Sequence, residues 1–256
     1  MIFDIVDIKD DKGRVALDET RFTAQIFHTL KKEFGSALLL MTNTGICSYR
    51  KDGSCIDYDP SGAPLIEDTC KMIGDIAAAH AGFGADMICL PEMADGQVRC
   101  ARASLDASGF GHIPTLSLVK ADTCLFGPFE RAMGKGEPSL PTFTYRIDPS
   151  NAKMFRRKIA LEIEEGVDAI AIKPASHYLD IVRFANDTYD VPVGAFQVSG
   201  EYVMLKAFAQ SCPVGDLGMA LESLKCIKRA GASIIMTYCA MDIARWLSTI
   251  GEVQLT

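Results

Sequence analysis

Seven short apolar runs, most of them nearly unbroken, constrain the fold of this chain more than any other feature. They read IFDIVDI (2–8), ALLLMT (37–42), MICLP (87–91), TLSLVK (115–120), AIAIKP (169–174), VGAFQVS (193–199) and SIIMTYC (233–239). A strand with one wet face alternates apolar and polar residues, whereas a strand covered on both faces does not, so these runs predict a parallel sheet flanked by helices. The segments between them carry helical spacing. Leu65, Ile66, Cys70, Ile73 and Ile76 mark one buried face, Ile159, Ile163 and Val167 a second, and Leu217, Leu221, Leu224 and Ile227 a third. Three helix-to-strand joints, GFGAD, EEGVDA and RAGAS, place a glycine where a left-handed cap ends a helix. With no compositional break, the pattern predicts one α/β domain over 1–256. Seven strands suit a doubly wound sheet and fall one short of a (β/α)8 barrel.

Composition narrows the function. Acidic residues number 33 against 26 basic ones, with no concentrated Lys/Arg tract, so nucleic acid is not an expected partner. No apolar run approaches the roughly 20 residues of a membrane helix, and the charged start MIFDIVDIKDDKG is unlike a signal peptide. Nine cysteines without a regular framework point to reduced thiols, and the expected compartment is the cytoplasm.

Two lysines share an address. Lys120 closes TLSLVK and Lys173 closes AIAIK, at the ends of consecutive predicted strands. In a parallel barrel both would reach the mouth where active sites form. A buried ammonium is costly, and two close together repel. Both effects free an amine to attack a ketone or aldehyde and form a Schiff base. The competing reading is a pair of side chains that snorkel to solvent.

The surrounding segments extend the reading. KPASHYLDIVR, QVSGEY, LKCIKRAGAS, LVKADTCLFGPF and PEMADGQVRCARASLDASGF resemble, in the same order, the porphobilinogen synthase (5-aminolevulinate dehydratase) family. The resemblance implies a TIM-type (β/α)8 barrel and a Schiff-base lyase of tetrapyrrole biosynthesis that condenses 5-aminolevulinate or a similar amino-ketone acid. Lys173 matches the lysine that captures the first substrate, and Lys120 the second active-site lysine. Ser199 and Tyr238 match the pair that binds the first substrate's carboxylate. Asp95, in EMADG, falls within a matching segment.

Departures from the family pattern leave other readings open. Zinc-dependent members carry C-x-C-x7-C. Here Cys47 and Cys55 keep their places, but Gly45 stands where the first cysteine belongs. Two thiolates make a weak zinc site; either Asp52 completes it or the metal has been lost. Asn43 replaces an aspartate of the same loop, removing an acid-base group. For the second substrate, Glu130 stands at a family arginine, leaving Arg131 and Arg146 as the candidate anion clamp. Lys158 replaces a glutamate of members with allosteric magnesium, so that ion is not expected. The family's N-terminal arm and first strand have no counterpart in the sequence, which leaves the completeness of the barrel open and predicts a homo-oligomer smaller than the family's octamer. The alternatives are a paralogue that uses a different second substrate and a non-catalytic partner subunit of the same fold.

Overall fold

A computed structural model describes residues 1–132, 146–211, 213 and 215–249. Six strands form one sheet: β1 (Met41–Asn43), β2 (Met87–Leu90), β3 (Thr115–Lys120), β4 (Ala169–Lys173), β5 (Val193–Phe196) and β6 (Ile234–Met236). Each pairs in parallel with the next, so spatial order follows chain order and the sheet curls as a half-barrel. The helices are α1 (Phe22–Phe34), α2 (Ile66–Gly82), α3 (Gln97–Ala107), α4 (Gly127–Ala132), α5 (Ala152–Glu164), α6 (Leu179–Thr188), α7 (Ser199–Ala209), α8 (Gly215–Arg229) and α9 (Ala240–Thr249). The three apolar helical faces expected from the sequence fall on or beside α2, α5 and α8. The three joint glycines, Gly84, Gly166 and Gly231, all have positive φ.

One expected strand is absent. The run at 2–8 contributes only an isolated bridge, Ile2 to Thr42, closed by Ile2 N–H to Met41 O at 2.7 Å and Asn43 N–H to Ile2 O at 3.1 Å. Asp4 and Asp7 interrupt this run, and aspartate is disfavoured in strands. The described sheet therefore has six strands rather than seven.

Alternation along each strand sorts the core into two layers. Met41, Met87, Cys89, Leu116, Leu118, Ala169, Ala171 and Phe196 form a cluster on the inner face. Ile88, Leu90, Val119, Ile170, Ile172 and Val193 face the helices, where Ile73, Ile76, Ile159, Val182 and Ile227 meet them. Burying one such aliphatic side chain is worth about 1.5–3 kcal/mol, so the outer layer carries most of the stabilisation. The inner face is free to hold polar groups at the strand ends.

Candidate active site

Lys120 and Lys173 are register partners at the C-terminal ends of β3 and β4. They continue the inner-face alternation of Leu116 and Leu118 and of Ala169 and Ala171. Both are buried, each 8% exposed. The Nζ of Lys173 lies 4.6 Å from the ring centroid of Phe196, 4.9 Å from Phe126, 5.6 Å from Phe129 and 5.8 Å from Phe3. These rings act in opposite directions, since they exclude the water that an ammonium needs while their faces attract a cation. Exclusion of water prevails: burial, reinforced by the charge of Lys120, lowers the pKa of Lys173 to about 8. A useful fraction of the amine is then neutral near physiological pH.

Lys120 has an anionic neighbour. Its Nζ lies 3.4 Å from Oε2 of Glu92, a carboxylate only 1% exposed just beyond β2. Arg146 joins the group from the other side of the sequence, its guanidinium 5.0 Å from the same Phe126 ring that covers Lys173. Asp122, at 3.5 Å, and Glu130 pair with it. Arg131 is exposed near the end of α4.

Ser199 begins α7, directly beyond β5. Its Oγ accepts the Phe129 N–H at 3.2 Å and donates to Leu125 O at 3.5 Å. The approach requires glycine at the next position, because a Cβ on Gly200 would lie 2.5 Å from Leu125 O and 2.7 Å from its Cα. Tyr238 follows β6, is 47% exposed and packs its ring 5.7 Å from that of Tyr202. Asp95 is placed differently. Its exposed carboxylate pairs with Lys158 at 3.0 Å, and Lys158, on α5, pairs with the buried Glu162 at 2.7 Å. Asp95 is thus drawn toward the helices rather than toward the two inner-face lysines.

The metal candidates sit beside the lysines. Among the described residues, the ligand atoms of Cys47, Cys55 and Glu92 lie within 4.8 Å of one another. Asp52 is engaged elsewhere, in a two-pronged pair with Arg50 at 2.9 and 2.6 Å. Two thiols and a carboxylate are an acceptable donor set for zinc, with a fourth position open.

Sequence reasoning missed two carboxylates. Glu92 stands just past a strand end, the address that singled out Lys120 and Lys173, and could have been found by the same rule. Glu201, in the first turn of α7, is 2% exposed and accepts N–H groups from Val198 at 2.6 Å, Ser176 at 2.6 Å and Ala175 at 3.3 Å. It ties the loop after Lys173 to the turn that presents Ser199. No local pattern distinguishes it from an ordinary helix-start acid.

The sequence model of the delta-aminolevulinic acid dehydratase family matches residues 1–246. The chain belongs to this family. A Mycobacterium tuberculosis (strain H37Rv) delta-aminolevulinic acid dehydratase is 36% identical over 241 residues, which are 94% of this chain and 73% of the relative. The Bacillus subtilis delta-aminolevulinic acid dehydratase is 34% identical over 253 residues, 97% of this chain and 76% of the relative. The Toxoplasma gondii delta-aminolevulinic acid dehydratase, solved in complex with the reaction product porphobilinogen, superposes with a TM-score of 0.91 at 30% identity, covering 96% of this chain and 71% of that one. As for a membrane, no described helix is long and apolar enough to cross one.

Proposed function

We propose that this protein is a porphobilinogen synthase, joining two molecules of 5-aminolevulinate into porphobilinogen with loss of two waters. Family membership and the likeness to a product-bound relative support the reaction. The observation that carries the mechanism is the ring-covered amine of Lys173, with a pKa of about 8, beside Lys120 on the next strand.

Neutral Lys173 attacks the ketone carbon of the first substrate. The resulting carbinolamine loses water and leaves an iminium, whose positive charge acidifies the neighbouring carbon. Lys120 engages the second substrate and keeps its partner's proton affinity low. Ser199 and Tyr238 receive the first substrate's carboxylate, for which Ser199 exchanges its present backbone partners. Arg146 is the candidate clamp for the second carboxylate, in competition with Asp122 and Glu130, with Arg131 nearby in sequence. Asp95 supports the loop after β2 through Lys158. Cys47 and Cys55 with Glu92 would hold a zinc ion, which supplies Lewis acidity when bound.

One domain over 1–256 houses these groups, on a barrel of the (β/α)8 type, and the protein assembles with copies of itself. The test is trapping: incubate with 5-aminolevulinate, reduce with borohydride, map the adduct by mass spectrometry and measure porphobilinogen. An adduct on Lys173 with product release is the expected result. No adduct with any amino ketone at neutral to mildly basic pH would sink the proposal.

A further inference from the structure

The space above Gly45 is filled from across the sheet. A Cβ built on Gly45 would lie 3.0 Å from Oε1 of Glu92, 3.0 Å from Cγ of Pro91 and 3.2 Å from Nδ2 of Asn43. Contacts of that kind require the neighbour to yield by a few tenths of an ångström, so a side chain at 45 would push the Glu92 carboxylate from its present position. Cys47 and Cys55, from the loop after β1, converge on that same carboxylate.

We propose that Glu92 replaces the thiolate lost at position 45 and completes a Cys47–Cys55–Glu92 site for a zinc-class divalent cation. Zinc takes thiolates at about 2.3 Å and carboxylate oxygens at about 2.0–2.2 Å, which places tetrahedral ligand atoms roughly 3.5–3.8 Å apart. The three groups must therefore draw together by about an ångström, within reach of side-chain rotation. Three protein ligands leave one position for substrate, the arrangement of catalytic rather than structural sites.

The two carboxylate oxygens face different neighbours. Oε2 is the atom 3.4 Å from Lys120, and Oε1 is the atom beside Gly45. One carboxylate can then hold the ion and the second active-site lysine together. At 3.4 Å the contact with Lys120 is longer than the 2.7–2.9 Å of a tight charge-assisted bond, so the carboxylate has room to turn toward an ion. The rival explanation is that Glu92 serves only as a counter-charge for Lys120. That explanation gives no role to the convergence of two thiols on it or to the bare glycine opposite.

The placement of this ion in the reaction rests on the Schiff-base reading above; its binding does not, and the two are measured separately. The full chain, stripped with a chelator, is titrated with zinc against a competing chromophoric chelator, and its cobalt(II) form is examined for thiolate-to-cobalt charge transfer. We expect one zinc per chain and a charge-transfer band. Glu92→Gln should weaken zinc at least 10–100-fold, the loss typical of removing even an outer-shell partner. Cys47→Ser should weaken zinc and diminish the band. The double variant Gly45→Cys/Glu92→Ala should recover tight binding with a stronger band, which a merely misfolded Glu92 variant could not do. Unchanged zinc affinity in Glu92→Gln, or a parent chain that binds no zinc, overturns the site. Borohydride trapping on the chelated parent gives the independent readout. An adduct on Lys173 without zinc binding leaves the function standing and ends the metal proposal, whereas zinc binding without an adduct does the reverse.

Discussion

Replacing Lys120 by methionine removes a charge while keeping a flexible side chain of similar length, and it should make Lys173 a poorer nucleophile without altering its surroundings. The two residues are register partners on adjacent parallel strands, and such strands lie about 4.8 Å apart. Their amines, on one face, are then separated by roughly 5–8 Å. At an effective dielectric of about 20–40, two unit charges about 7 Å apart repel by about 1–2 kcal/mol, or about 1–2 pKa units. Burial is the larger cause of the lowered pKa of Lys173, so the variant should not return to the free-lysine range but should rise from about 8 toward about 9. The uncompensated Glu92 carboxylate pushes in the same direction. At pH 7 the neutral fraction of the amine falls from roughly a tenth to roughly a hundredth. The assay is the rate of borohydride trapping with levulinate, a keto acid that lacks the amino group of 5-aminolevulinate, followed from pH 6 to pH 10 in the presence of a chelator. The expected loss is about 10-fold at pH 7 and vanishes as the pH passes about 9. A loss of the same factor at every pH would mean that Lys120 acts by positioning, and an unchanged profile would mean that the two charges do not communicate. Either result refutes the electrostatic account.

Three further outcomes follow from buried groups. Asp4 is 4% exposed, its carboxylate oxygens have no hydrogen-bond partner among the described residues, and burial raises its pKa to about 6. Because the folded value exceeds the unfolded one of about 3.9, the parent loses stability as pH rises between the two. Asp4→Asn should therefore gain about 1–2 kcal/mol over the parent at pH 8 and little at pH 4, read by urea unfolding at both. Glu201→Gln weakens acceptance of three backbone N–H groups and should cost about 1–3 kcal/mol in urea unfolding. It should also slow trapping at Lys173 at all pH values alike, separating it from the Lys120 variant. Gly200→Ala forces a methyl group against the Leu125 backbone and should cost about 1–3 kcal/mol, with weakened retention of the substrate carboxylate seen as a raised KM.

The parts of the site that could be read in the sequence are those whose position is set locally. A strand's alternation and its end are both visible in AIAIKP and TLSLVK, so the shared face of Lys173 and Lys120 follows from counting in twos. The helix-to-strand glycines are equally local. The ring cover of Lys173 is not, because Phe3, the neighbouring pair Phe126 and Phe129, and Phe196 come from three segments far apart in the chain. The 2–8 run misled because Phe3 serves the inner face while Asp4, which interrupts the run, is buried without forming a strand.

The same division explains the third metal donor. Asp52 was the natural candidate because it lies between Cys47 and Cys55 in sequence, yet Arg50, two residues away, captures both of its oxygens. A carboxylate already held in a bidentate pair would have to surrender charge-assisted bonds worth about 1.5–3 kcal/mol before it could serve an ion. The contact between Glu92 and Lys120, at 3.4 Å, is long for a charge-assisted bond. Its competence depends on β1 and β2 lying side by side, with Asn43 opposite Cys89 in register, which brings the residues just beyond each strand end into one layer. Proximity along the chain therefore favours one acid and proximity across the sheet the other, and the pairing already made by Arg50 decides between them.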